Sequence, residues 1–241
     1  MDTLHLGQHI SHQFNDDLEH LRTKLLEMGG LVEDQLRDAT RAIESADGGL
    51  AEKVLVTEDE VDQREMALDQ EAIAVLARRQ PAASDLRLVI MVTKATRDLE
   101  RIGDEANKIA KMAIELNKAG GESGRGYVEI RHLASNVIRS VSWALDAFAR
   151  YDVETALNVV RNDKDIDVEY KSAVREMMTY MIEDPRAISR VMSIMWALRA
   201  LERIGDHARN VAEQVIYLVH GTDVRHTSLP DIEKVLESKN Q

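Results

Sequence analysis

Apolar residues recur at spacings of three and four along almost the whole chain. The first run passes through Ile10, Phe14, Leu18, Leu21, Leu25, Met28, Val32, Leu36, Ala39 and Ile43, which marks one buried face of a helix. Gly29-Gly30 falls in its middle. Each glycine costs about 1 kcal/mol against alanine in a helix interior, so a bend or short break is expected there. Asp47-Gly48-Gly49 is the expected stop. A second helix is predicted over residues 50–79, with Val54, Val61, Leu68 and Val75 spaced by seven. The turn Gln80-Pro81-Ala82-Ala83-Ser84 follows, with Ser84 placed to cap the next helix. That third helix, residues 85–118, carries Leu88, Val92, Ala95, Leu99, Ile102, Ala106, Ile109, Ala113 and Leu116 at alternating spacings of four and three. Such a seam packs in a bundle.

Four glycines in the seven residues 120–126 then read as a linker. Beyond it the plan returns. A helix over 127–151 carries Leu133, Val137, Val141, Ala144 and Phe148, and one over 153–182 carries Val160, Ile166, Val174, Met177 and Met181. Glu183-Asp184-Pro185 breaks the chain where Gln80-Pro81 did before. The last long helix, 187–219, shows Ile194, Leu201, Ile204, Ala208, Val211, Val215 and Leu218, and Gly221 ends it. A polar tail holds one short amphipathic turn around Ile232, Val235 and Leu236. The return is literal in one place: Asp98-Leu99-Glu100-Arg101-Ile102-Gly103-Asp104 reappears as Ala200-Leu201-Glu202-Arg203-Ile204-Gly205-Asp206. Self-similarity of this kind indicates duplication. The expected fold is all-α, two tandem antiparallel three-helix bundles related by internal duplication and joined end to end. The first bundle takes residues 1–119, the linker 120–126, the second bundle 127–220 and the tail 221–241.

Composition supports this class. The 241 residues are 44% hydrophobic but only 4% aromatic, with three prolines, so aliphatic side chains must build the core. With 31 basic against 43 acidic residues the formal net charge is −12, which removes long-range attraction to nucleic acid or anionic lipid. There is no cysteine, hence no disulfide, thiolate metal site or thiol nucleophile. The N-terminus lacks the basic and apolar regions of a secretory signal. The apolar stretch from Leu86 to Val92 is interrupted by Arg87 and falls far short of the roughly 20 residues that span a bilayer. A soluble chain is expected.

Chemistry concentrates on carboxylates. Glu100 and Asp104, like Glu202 and Asp206, stand four apart on a helical face turned away from the seam, either outward-facing or shared with a neighbour. Taken alone, each pair reads as a solvated surface with Arg97, Arg101 or Arg203 as partner, worth about 0–1 kcal/mol. The second helices add Glu58 with Asp62 and Asp163 with Asp167 at matching places of the repeat. Glu58 and Asp163 also lie in register with Val54 and Val61, or Val159 and Ile166, where uncompensated charge is costly. Like charges gathered on facing helices are relieved by a cation, and all-oxygen ligation without cysteine points to Mg, Mn or Fe as divalent ions. Gly103 and Gly205 recur mid-helix, compatible with a kink or with close approach of another group. The histidines His5, His9, His12, His20, His132, His207, His220 and His226 are scattered, and His207, beside Asp206, is a further candidate ligand. A carboxylate-bridged di-iron enzyme needs Glu-x-x-His on two helices, whereas this chain has it once, at Glu129 and His132. No serine stands in a recognisable nucleophile context. A non-enzymatic role is expected; a third reading makes the acids a plain interaction surface.

With the duplicated Leu-Glu-Arg-Ile-Gly-Asp, the run from Arg79 to Arg87 and an opening His9-Ile10-Ser11 followed by Gln13-Phe14-Asn15, the sequence resembles the PhoU family of bacterial phosphate-transport accessory and regulatory proteins. The resemblance covers essentially the whole chain. It implies two three-helix bundles, a homodimer and multinuclear metal clusters held by acidic motifs. These match Glu58, Asp62, Glu100, Asp104, Asp163, Asp167, Glu202 and Asp206. Asp98 departs from the pattern, because Ala200 stands at its place in the repeat. The resemblance also implies a cytoplasmic negative regulator of the phosphate-starvation response and of phosphate uptake. Such a protein links the ATPase of a phosphate ABC transporter to a sensor histidine kinase and its response regulator, and reaches the inner membrane only through those partners. Arg87 and Arg186, at the entries to the two third helices, are candidate partner contacts.

Overall fold

The computed structural model describes residues 12–118, 126–225 and 227–239. Ile10, His5, His9, His226, residue 119 and residues 120–125 of the expected linker lie outside them. Among the described residues every regular element is a helix.

Helix α1, His12–Glu44, runs through Gly29-Gly30 without the short break offered as one expectation. Packing explains the difference. Leu21, Leu25, Met28, Val32 and Leu36 are buried along the whole length, and Gly29 is itself buried against Leu145, whose side chain a β-carbon there would overlap. The helix does not stop on glycine. Ala46 takes the left-handed conformation at φ 53°, and Asp47 N–H donates back to the Ala42 carbonyl at 3.0 Å. Gly48 and Gly49 open α2, Gly48–Arg79, whose first turn is capped by Asp47 accepting from Leu50 N–H at 3.0 Å. Helix α3, Ala83–Lys118, begins ahead of Ser84, which therefore lies inside the first turn rather than capping it.

The second unit repeats these elements as α4, Tyr127–Arg150, α5, Val153–Glu183, and α6, Ile188–His220. Asp152 caps α5 through Glu154 and Thr155 N–H groups, as Asp47 caps α2. A 3₁₀ turn, Pro185–Ala187, replaces the simple break between α5 and α6. Gly221 closes α6 at φ 66° as expected, its N–H on the Tyr217 carbonyl. The tail forms more than a turn: α7, Leu229–Lys239, buries Ile232 and Leu236 and is tied to α5 by Arg161 and Glu233 at 2.9 Å.

The two bundles stand side by side, not end to end. Helix α3 packs antiparallel on α6, and α1 on α4. Arg87 reaches the Leu218 carbonyl near one end of α3, Asp98 meets His207 in the middle, and Glu115 meets Ser193 towards the other end. The cause lies in faces that a single seam does not describe. Helix α3 also buries Val89, Thr96 and Ala110, and α6 buries every residue from Val211 to Ile216. A helix buried all round belongs at the centre of a fold. One continuous core results.

Candidate functional site

Two carboxylate sets form where the second helix of each bundle lies along its third. In the first, Glu58 and Asp62 come from α2 and Glu100 and Asp104 from α3; in the second, Asp163 and Asp167 come from α5 and Glu202 and Asp206 from α6. The pairs on α3 and α6 divide between the two expectations: Asp206 is exposed, whereas Glu100 and Glu202 are shared with the neighbouring helix. Glu100 is largely covered and Glu202 is 9% exposed, because both turn towards the neighbouring helix.

Burial pushes the Glu58 carboxyl above its ordinary value, and repulsion from Asp104, Asp62 and Glu100 adds to this. The donated hydrogen bond from Gln35 Nε2, 2.6 Å from Glu58 Oε2, works against it. Glu100 is raised by burial and then by Asp104. In the second set Glu202 is raised by burial and by Asp206, and Asp206, which still reaches solvent, by partial burial and by Asp163 and Asp167. Asp163 is raised by burial against the pull of Arg209. These mutual repulsions place the acids of each set within one another's field across two helices.

Resident cations differ between the sets. Arg101 Nη1 bonds Asp104 at 3.1 Å and its Nε lies 3.3 Å from Glu100. In the second set Arg199 bonds Glu202 at 2.8 Å and Lys171 bonds Asp167 at 2.9 Å. Arg209 bridges Asp163 and Glu213, each at 2.9 Å. The place of Arg209 is taken in the first repeat by Asn107, whose Oδ1 is buried without a hydrogen-bond partner. Arg203, expected beside the acids, instead crosses to Glu105 of the other bundle at 3.0 Å.

The recurrent glycines serve close approach. A β-carbon on Gly103 would stand 3.1 Å from Gln35 Oε1 and 3.4 Å from Glu58 Oε2, and one on Gly205 would stand 3.2 Å from Ile166. Both helices continue through them. Glu65 also belongs to the first set: it is raised by burial, Asp69 and Asp62. The signal for it was present in the sequence, since Glu65 follows Glu58 by one heptad. Gln35 had no such signal.

Among the described residues no three Asp, Glu or His side chains converge into a ligand set as they stand. The donor chemistry nevertheless fits a hard divalent ion. Each set offers partly buried, mutually repelling oxygens, and Glu202 Oε2 is buried without a hydrogen-bond partner. Asp98 and His207, the remaining candidates, pair with each other at 2.9 Å between the bundles, and Asn210 donates to the same Asp98 oxygen. Arg87 donates to the Leu218 carbonyl at 3.2 Å and so satisfies the end of α6. Arg186 is exposed and bonded to Asp184 at 3.2 Å. Glu129 and His132 lie at the start of α4, on a different helix from all eight acids.

The sequence model of the PhoU domain matches this chain twice, over residues 25–113 and 130–215. The chain is 59% identical over 233 residues to the phosphate-specific transport system accessory protein PhoU homolog of Pseudomonas aeruginosa, covering 97% of this chain and 96% of that protein. It is 42% identical over 240 residues to the phosphate-specific transport system accessory protein PhoU of Escherichia coli (strain K12), covering 100% and 99%. The crystal structure of PhoU from Pseudomonas aeruginosa matches with a TM-score of 0.85 at 60% identity, over 87% of this chain and 100% of that one. The phosphate transport system regulatory protein PhoU from Streptococcus pneumoniae matches with a TM-score of 0.81 at 26% identity, over 88% and 99%.

Proposed function

Since the chain belongs to the PhoU family, we propose that it is an accessory protein of a phosphate transport system and acts as an adaptor rather than an enzyme. In this reading it works in the cytoplasm as a homodimer, restrains phosphate uptake and holds off the phosphate-starvation response. It does so by contacting the ATPase of a phosphate ABC transporter and a sensor histidine kinase with its response regulator. The relatives' names, accessory protein in two cases and regulatory protein in the Streptococcus pneumoniae structure, support the first part. Among the described residues no helix is long and apolar enough to cross a membrane, which agrees with recruitment through partners.

The observation that carries the reading is the repeated placement of four acids where second and third helices meet. A structural surface has no need to set repelling, partly buried carboxylates there twice, and desolvated like charges destabilise a fold unless compensated. Divalent Mn, Mg or Fe, bound singly or in clusters by Glu58, Asp62, Glu100 and Asp104 and by Asp163, Asp167, Glu202 and Asp206, would supply that compensation. This chain's part is to hold the acids on rigid helices, so that ion loading alters the charge of a defined surface. A second reading, in which the acids form an interaction surface without metal, is favoured by one observation: Arg101, Arg199, Arg209 and Lys171 already pair with members of the sets.

Elemental analysis of protein purified without chelator, beside a variant with Glu100, Asp104, Glu202 and Asp206 changed to Ala, separates the two. Near-stoichiometric metal that the variant loses, with binding to transporter ATPase and kinase falling together, is the expected result. Equal partner binding by both proteins, with metal in neither, would leave the acids as surface and place the adaptor's contacts elsewhere.

A further inference from the structure

A cleft of about 740 Å³ opens between α1 and α4, where the two bundles meet away from the carboxylate sets. Its walls carry four guanidinium groups, Arg37 and Arg41 from α1 and Arg131 and Arg139 from α4, against two acids, Glu44 and Asp146. Among the lining residues the guanidinium groups outnumber the acids, on a chain of net charge −12, although Glu33 and Asp38 flank the cleft beside Arg37 and Arg41. The arginines keep donors in hand. Arg41 lies 3.7 Å from Asp38 and Arg131 lies 3.7 Å from Glu44, both beyond hydrogen-bonding distance. Arg37 is tied to Glu33 through one nitrogen only. Guanidinium groups with spare donors are suited to phosphate, which they bind in bidentate fashion.

The cleft holds a second kind of recognition element. Trp143 is half-buried in its wall, and the Arg139 guanidinium lies 5.2 Å from the centroid of its ring. Asn136 and Asn162 hold Arg139 in place, accepting from its Nη2 at 2.6 and 3.3 Å. A planar cation fixed beside an indole is a platform on which a further flat ring stacks. The cleft is open to solvent, and its extent allows a ligand larger than phosphate alone. A water occupies roughly 30 Å³ of liquid volume, so inorganic phosphate alone would leave most of this cleft filled by solvent. The space falls in the range of sites for small organic ligands, about 300–1,000 Å³.

We propose that the α1–α4 cleft binds a purine nucleotide, its phosphates on Arg37, Arg41 and Arg131 and its base extending the stack of Arg139 and Trp143. Because α1 and α4 belong to different bundles, the bound nucleotide ties the two halves together. The site is independent of the carboxylate sets, none of whose acids lines it.

Trp143 supplies the readout. The chain's other tryptophan, Trp196, is 60% exposed on α6, so Trp196→Phe leaves Trp143 as the sole reporter. ADP is titrated against this protein in the presence of chelator, which stops metal from recruiting phosphates to the acids. Saturable quenching by ADP is expected, with adenosine and inorganic phosphate each at least about tenfold weaker. The double change Arg37→Glu and Arg41→Glu, at exposed positions, is expected to weaken ADP by about tenfold or more while the helical circular dichroism stays unchanged. Arg37→Lys with Arg41→Lys, which keeps the charge, is expected to fall between. Absence of saturable quenching up to about 1 mM ADP overturns the proposal. So does ADP affinity that survives charge reversal, or adenosine or phosphate alone binding as tightly as ADP.

Discussion

Glu58, Glu100, Asp163, Glu202 and Asp206 are each held above the ordinary carboxylate range, chiefly by burial and then by neighbours of like charge. A carboxyl raised in the folded state keeps a proton that the unfolded chain has released, so its contribution to stability is full below the ordinary value and is lost as pH rises through the raised one. Asp152, Asp231 and Asp223 behave oppositely. Asp223 is lowered to about 2 by Arg225, and Asp152 and Asp231 are lowered by Thr155 and Ser228; their contributions disappear only on strong acidification. Urea midpoints in chelator should therefore fall as pH rises from the ordinary carboxylate range towards neutrality. Glu100→Gln with Glu202→Gln should flatten that slope, and an unchanged slope would show that relaxation relieves the repulsion. Arg209→Ala tests the unequal cations: it leaves Asp163 and Glu213 without the guanidinium they share, at a cost of about 1–3 kcal/mol. Thermal unfolding at neutral pH should show that loss, partly restored by Mn²⁺ where the second set accepts metal. The eight acids were legible in the sequence because duplication repeats their i, i+4 spacing. Arg209 and Gln35 were not, since no periodicity tells which polar residue of a neighbouring helix turns inward.

Helix identity was legible from spacing, but helix ends and continuity were decided by contacts. Ala46 takes a left-handed cap that glycine would fill more readily, while Gly48 and Gly49 fall inside the next helix behind the Asp47 cap. The adjacent glycines of α1 have different surroundings. Gly29 is buried against Leu145, whereas Gly30 is exposed with nothing within 4 Å of an added β-carbon. Intrinsic propensity favours alanine over glycine at both positions. Gly30→Ala should therefore raise stability by about 0.5–1 kcal/mol, and Gly29→Val should lower it by about 1–3 kcal/mol through overpacking. Denaturant midpoints of the two variants check both signs. Gly29→Val combined with Leu145→Ala should recover part of the loss if the contact between α1 and α4 is the cause.

At the scale of the whole molecule the sequence showed two copies of a unit but not how they meet. The strong seams locate each bundle's own core, whereas the contact between bundles uses small and polar residues that look like surface in a heptad reading. Glu105 is 3% exposed between Lys108 and Arg203, and Asp98 meets His207 across the same α3–α6 boundary. The readable signal was α6 itself, where Val211, Ala212, Val215 and Ile216 leave no polar face wide enough for solvent. Bundles joined end to end through a glycine-rich linker would unfold as separate units, because few contacts would cross between them. Bundles sharing α3–α6 and α1–α4 boundaries in one core should unfold together. Scanning calorimetry should accordingly give one transition with a calorimetric enthalpy equal to the van't Hoff value. Two resolved transitions would mean that the boundary adds little to stability. Arg203→Ala sharpens the test, since it removes a partner from the buried Glu105 without touching either bundle's seam. Its effect should appear as a shift of the single transition, with no low-temperature shoulder.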